Sequence, residues 1–124
     1  MEGTVPEEGR DGSGATRAVG EQVLYADNLV SVTCTVLSGL ALVRVAGEVD
    51  HSNSAELVRV LEQARGIGDR LVVDVGRVTF IDVTGTRALV AFIGKDGARV
   101  RNVPHQMGRL LRLMQLPSFD GPRR

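Results

Sequence analysis

The chain has 124 residues, 43% hydrophobic and 24% charged, a length and balance that set a single small globular domain as the first expectation. No apolar run approaches the ~20 residues needed to cross a bilayer and the N-terminus lacks a basic-then-apolar leader pattern, so the expectation is a cytoplasmic protein without membrane insertion. The single cysteine, Cys34, is too few for a disulfide framework or a structural zinc site.

Formal net charge is zero but unevenly placed: residues 1–22 hold five acids and two arginines, whereas from Ala98 onward six arginines face one aspartate. Those arginines are spread over an expected strand, a helix and a tail, with only Phe119 as an aromatic among them. Single-strand platforms need stacked aromatic side chains, so no direct nucleic-acid binding is expected.

Residues 1–22 combine scattered glycines and acids with no apolar periodicity, the pattern of a disordered tail that cannot recover its ordering entropy. From Leu29 the pattern changes. Val30, Val32, Cys34 and Val36 alternate with Ser31, Thr33 and Thr35, the period of a half-buried strand in which Cys34 is a small core residue. Ser38-Gly39 then turns the chain into the apolar run Leu40 to Ala46, predicting an antiparallel hairpin.

Beyond Asp50, Asn53 is placed to cap a helix and Glu56 to reach back from its third position. Leu57, Val58, Leu61 and Ala64 form one apolar face, and Gly66 and Gly68 close the helix. Leu71 to Val75 is nearly continuous in apolar residues, as in a central parallel strand. The run Val78 to Ile81 is again strand-like and passes into Asp82-Val83-Thr84-Gly85.

Asp82 suits the cap of a short helix running from Thr84 or Gly85 to Ile93, with Leu89, Phe92 and Ile93 inward, and Gly85 permits close approach of another backbone. An acid, a hydroxyl and a glycine at a helix start equally suit docking or anion binding, which these residues alone leave open. Lys95-Asp96-Gly97 breaks that helix, and Ala98 to Val103 predicts the next strand. Pro104 opens a third helix with a stripe of Met107, Leu110, Leu111 and Met114.

Enzymatic readings find little support. His51 and His105 sit at helix approaches without metal-ligand spacing, and no phosphate-cradling Gly-x-x-x-x-Gly-Lys-Ser/Thr loop is present. Glu48, Asp50, Asp74 and Asp82 lie near strand ends, but Asp74 belongs to a strand and Glu48 and Asp50 to a following loop. No metal, cofactor or catalytic residue is expected.

Three segments in order, Gly47-Glu48-Val49-Asp50, Leu71-Val72-Val73-Asp74-Val75 and Phe80-Ile81-Asp82-Val83-Thr84-Gly85, resemble the STAS family, the domain shared by sulfate transporters and anti-sigma factor antagonists. The resemblance covers about residues 28–117. It implies an α/β fold with a mixed sheet: an N-terminal hairpin, then a parallel βαβαβα run with helices packed on the sheet. The domain spans 28–117, a C-terminal tail 118–124. Two departures stand out. The second helix is shorter than the family's by about one turn, and the family's last strand and helix are missing, which leaves an edge or face for homodimer formation.

The resemblance further implies an anti-sigma factor antagonist, which binds an anti-sigma factor, often of serine/threonine kinase type, and releases a sigma factor for bacterial transcription. Its docking surface maps onto Asp50, Asp82, Val83, Thr84, Gly85 and Thr86. The family's phosphorylated serine directly follows the Asp, where this chain has Val83, so the usual switch is absent and Thr84 is the nearest candidate acceptor. Two alternatives come with the same resemblance: a STAS subunit of a signalling scaffold, and the small STAS-like subunit of a lipid-transport ATPase.

Overall fold

A computed structural model describes residues 20–117, so the tails expected over 1–22 and 118–124 fall outside the described residues except at 20–22. The elements are β1 (Gln22–Ala26), β2 (Val30–Leu37), β3 (Leu40–Val49), α1 (Ser54–Arg65), β4 (Arg70–Ile81), α2 (Val83–Asp96), β5 (Arg99–Arg101) and α3 (His105–Leu113). The strands form one sheet in the order β1-β2-β3-β4-β5. β1, β2 and β3 pair antiparallel, while β4 and β5 join in parallel, giving the mixed sheet expected.

The β2–β3 hairpin is tight. Leu37 pairs with Leu40 across Ser38 and Gly39, both at positive φ, the two-residue geometry that matches the twist of the flanking strands. The two later connections, β3-α1-β4 and β4-α2-β5, step in the same direction across the sheet. Right-handed crossovers therefore place α1 and α2 on the same face, and α1 packs against β2, β3, β4 and α2. Between sheet and helices lie Val32, Val43, Val45, Val73, Val75, Leu57, Leu61 and Leu89, all buried. Cys34 is buried with them, and that burial raises its thiol pKa, as suits an inert core position.

Five elements differ in detail from the sequence expectation. β1 lies ahead of the expected domain start at residue 28, and its first residue falls in the expected tail. It is short and largely exposed, with Leu24 and Tyr25 alone packed on the core, so its apolar signal is weak. Its position comes from pairing with β2 and from the turn at Asp27. There Oδ1 accepts the N–H groups of Leu29 (2.8 Å) and Val30 (2.9 Å), and Oδ2 accepts the Tyr25 hydroxyl (2.6 Å). That hydroxyl, with the two N–H groups, holds the Asp27 carboxyl below its ordinary pKa.

The runs Leu71 to Val75 and Val78 to Ile81 are one twelve-residue strand, β4, joined across a register shift between Asp74 and Arg77. α1 buries Val60 fully and Val58 only in part against the core, and Glu56 pairs with Arg59 instead of reaching back to the helix start. α2 continues to Asp96, past the expected end at Ile93. Lys95 suits the negative end of the helix dipole, and only Gly97, left-handed at φ 70, stops the helix. In α3, Met107 and Leu111 are buried whereas Leu110 and Met114 are half-buried, so the stripe is core only in part.

The face of the sheet away from the helices carries a polar row. Register pairs Thr33 with Arg44, Arg44 with Asp74 and Asp74 with Arg101, one row across four strands. Asp74 is buried and fully engaged: Oδ1 accepts the Gly76 N–H (2.8 Å), and Oδ2 accepts Asn102 Nδ2 (2.9 Å) and Arg101 Nε (3.2 Å) with Arg44 Nε at 3.9 Å. Burial alone would raise this carboxyl, but the Gly76 N–H, the Asn102 amide and Arg101 outweigh it and hold its pKa below the ordinary value.

A folded-state pKa below the unfolded one means that Asp74 stabilises fully above the unfolded value of ~3.9 and progressively less as pH falls through the folded value. Asp74→Asn should therefore cost about 1–3 kcal/mol at neutral pH, the usual loss when a buried group is left with mismatched partners. It should also flatten the acid limb of the stability curve. Urea unfolding at a series of pH values measures both.

Candidate functional site

The parallel pair β3–β4 ends with Val49 opposite Ile81, so the loops that follow leave the sheet side by side. Asp82 extends the pairing by one bond, its N–H donating to Val49 O (3.1 Å). This junction brings together the two segments that the sequence singled out, Gly47 to Asp50 and Asp82 to Thr86.

Gly47 sits at φ 113, and a Cβ there would lie 2.1 Å from the Leu29 carbonyl oxygen. Glycine thus lets β3 run against the start of β2, where the Glu48 N–H donates to Leu29 O (2.9 Å). The loop that follows is closed by Asn53 and Asp50. Asn53 is buried; its Oδ1 accepts the Asp50 N–H (2.9 Å) and its Nδ2 donates to Glu48 O (2.9 Å). Asn53 is the N-cap residue of α1 but makes no side-chain cap bond, because its amide is committed to this loop. Asp50 Oδ1 accepts both the Ser52 hydroxyl (2.6 Å) and the Ser52 N–H (2.9 Å), and these bonds, the hydroxyl first, hold its pKa below the ordinary carboxylate value.

Asp82 performs the expected cap. Its Oδ1 accepts the Gly85 N–H (2.7 Å), and its carbonyl accepts both the N–H and the hydroxyl of Thr86 (2.9 Å each). Its other carboxylate oxygen does something that sequence spacing does not reveal: Oδ2 accepts the His51 N–H (3.0 Å), tying the α2 start to the Asp50 loop. Gly85 is buried in the angle between them, where a Cβ would meet Val49 Cγ1 at 2.8 Å and Val49 O at 3.2 Å. The close backbone approach expected at Gly85 is thus present.

The six expected contact residues divide by exposure. Val83 (46% exposed) and Thr84 face outward, and among the described residues the Thr84 hydroxyl has no hydrogen-bond partner. Asp50 and Asp82 are half-buried. Gly85 and Thr86, also among the expected contact residues, are buried, Thr86 with no exposed surface, and set the shape of the turn from beneath. The Thr86 hydroxyl is spent on its own backbone, at Asp82 O.

Phe80, 52% exposed and paired with the exposed Glu48, adds an apolar group beside the turn. Its sequence context, an apolar strand run, reads as core, so no local signal marks it as surface. Among the described residues no three His, Cys, Asp or Glu side chains gather closely enough to hold a metal ion. What the arrangement offers is a hydrogen-bonded, mostly acidic and apolar rim made of Glu48, Asp50, Phe80, Asp82, Val83 and Thr84.

A family model described as "Mlab, STAS domain" matches residues 38–119. A search of curated proteins found no match. Among solved structures, an anti-sigma factor antagonist from Mycobacterium paratuberculosis is similar with 21% identity and a TM-score of 0.57, over 77% of this chain and 92% of that one. The anti-sigma factor antagonist SpoIIAA in its unphosphorylated form is similar with 15% identity and a TM-score of 0.51, over 68% of this chain and 81% of that one. The murine anion transporter Slc26a9 in its inward-facing state shows 17% identity and a TM-score of 0.54, over 62% of this chain but 14% of the transporter. At these identities the likeness concerns the fold.

The bonds around Asp82 set an order of stabilities. Asp82→Ala loses the cap, worth about 0.5–2 kcal/mol, and the His51 link with it. Asp82→Asn keeps one acceptor oxygen for the two N–H groups and should fall between Ala and wild type. Gly85→Ala forces a methyl group against Val49 and should cost about 1–3 kcal/mol. Thermal unfolding of the three variants checks the order.

Proposed function

We propose that this chain, which belongs to the STAS domain family, is an anti-sigma factor antagonist: it acts by binding, docking on an anti-sigma factor and so releasing a sigma factor to direct bacterial transcription in the cytoplasm. The observation that carries this reading is the junction of the two loops at the ends of β3 and β4. Asp82 fastens them by accepting N–H groups from His51 and Gly85, and this presents exposed Val83 and Thr84 on a fixed helix start. A preorganised surface of this kind loses little conformational entropy on binding. Two similar solved structures are antagonists of this class. No helix among the described residues is long and apolar enough to cross a membrane.

Val83 bears on regulation. A serine after the Asp would supply a phosphate acceptor at this exposed point, and valine cannot take one. Its isopropyl group instead adds apolar contact area, and a complex made there does not dissociate by modification at that position. The nearest exposed hydroxyl is Thr84. It lies in the first turn of α2, where free N–H groups favour a phosphate while Asp82 opposes it. We therefore place any phosphate switch at Thr84. The same valine favours a second reading, a permanent STAS subunit of a signalling scaffold or of a lipid-transport ATPase, where no dissociating phosphate is needed.

Binding and stability should move in opposite directions in Val83→Glu. A carboxylate in the first turn of α2 interacts favourably with the helix dipole, so the melting temperature should hold or rise slightly. Affinity for the anti-sigma partner should drop by about tenfold or more, because an interface contact becomes a desolvated charge. Calorimetry against the anti-sigma factor recovered by pull-down from the native host reads the affinity. Recovery of an ATPase or a scaffold subunit in place of a sigma regulator selects the second reading.

A parallel test addresses the switch. Incubated with ATP and a kinase-type anti-sigma factor, the wild type should carry phosphate on Thr84 or none at all, and Val83→Ser should gain an acceptor and a phosphate-sensitive complex. Phosphopeptide mass spectrometry assigns the site. Stoichiometric phosphate on Ser52 with Thr84 unmodified would remove the assignment to α2.

A further inference from the structure

On the helix-free face, away from the loop junction, Arg44, Asp74, Gly76, Arg77, Arg101, Asn102 and Val103 line a depression of ≈ 520 Å³. Its volume falls within the range of small-molecule sites, roughly 300–1,000 Å³. Three arginines and one aspartate give the lining a net charge of +2.

The way these groups are held matters more than their number. Asp74, buried at the centre of the row, receives Arg101 by its Nε and has the Nε of Arg44 nearby. Both guanidinium groups approach that carboxylate by the same edge, and among the described residues no acceptor bonds their terminal Nη atoms. Asp74 also takes the Gly76 N–H and the Asn102 amide, so its oxygens are occupied by donors within the protein. Arg77 follows the register shift on β4 and has no ion-pair partner among the described residues. The carboxylate thus orients two arginines, and a third adds an uncompensated charge.

We propose that this depression binds the phosphate group of a small phosphomonoester. Planar guanidinium forks bond phosphate oxygens two at a time, and the net charge of +2 matches a phosphate dianion. A carboxylate ligand would leave one positive charge unmatched. Val103 supplies an apolar wall for the remainder of the molecule. Neither Asp82 nor Thr84 belongs to this depression, so the site is independent of anti-sigma binding and either can fail without the other. A free phosphomonoester and the headgroup of an anionic phospholipid present the same chemistry.

The test is an NMR titration of the full-length, ¹⁵N-labelled chain with inorganic phosphate and with glycerol 3-phosphate, alongside co-sedimentation with phosphatidic acid vesicles. Sodium chloride at matched ionic strength is the control. Saturable shifts should concentrate on the amides of Gly76, Arg77, Asn102 and Val103. Arg77→Gln and Arg44→Gln should each lower the affinity by about tenfold or more, as expected for losing a charged hydrogen-bond donor. Arg77→Gln should leave the melting temperature unchanged, and Arg109→Gln on α3 should bind like wild type. Arg77-dependent binding to vesicles without binding to glycerol 3-phosphate would identify the phosphate as a lipid's. The proposal is overturned if chloride produces the same shifts, if the shifts scatter over all surface arginines, or if Arg77→Gln and Arg44→Gln bind as well as wild type in every arm.

Discussion

The parallel pairing of β3 with β4 is the constraint on which the rest of the molecule depends. It sets Val43 beside Val73 in the buried layer and Arg44 beside Asp74 on the opposite face, so one register builds both the core and the polar row. A slip by one residue would exchange the two faces, burying Arg44 and exposing Val43. The same pairing brings Val49 and Ile81 to a common end. From there the chain leaves as two neighbouring loops, and every feature of the candidate docking surface follows from that shared exit.

At that exit a single carboxylate does two jobs. One Asp82 oxygen satisfies the start of α2 and the other satisfies the Asp50 loop, so the helix cap and the joining of the loops cannot be changed separately. Around it, buried Gly85, Thr86 and Asn53 set the geometry, and exposed Val83, Thr84 and Phe80 are left for contact. This division gives physical content to a docking surface. The exposed side chains can differ in chemistry without disturbing the turn, because the residues that hold it in shape lie underneath.

The two sides of the sheet follow different rules. Toward the helices, apolar side chains exclude water and are held by area alone. On the other side Asp74 is buried yet charged, and it is tolerable only because backbone, amide and guanidinium donors surround it. An acid satisfied by its own strand neighbours leaves the outer ends of those neighbours available, and this is how a structural ion-pair network comes to line a basic depression.

Much of this was legible from residue order. The alternation from Val30 to Cys34, the Ser38-Gly39 turn, the apolar run from Leu71 to Val75 and the Asp82 cap are local patterns, fixed by side-chain period and by the bonding habits of small polar residues, and each appears in the structure where it was expected; past Cys34 the alternation reverses, with Thr35 buried and Val36 exposed. The short edge strand β1, the joining of two runs into one β4, the His51 link to Asp82 and the convergence of Arg44, Asp74 and Arg101 were not legible. Each depends on which segments lie side by side, and residues 31 positions apart, as His51 and Asp82 are, carry no mark of one another until the sheet forms. The sequence by itself determined the hairpin, the three helices and the identity of the cap. Only tertiary structure decided which hydroxyls face solvent and which arginines share a pocket, because exposure and electrostatic proximity are properties of the packed chain.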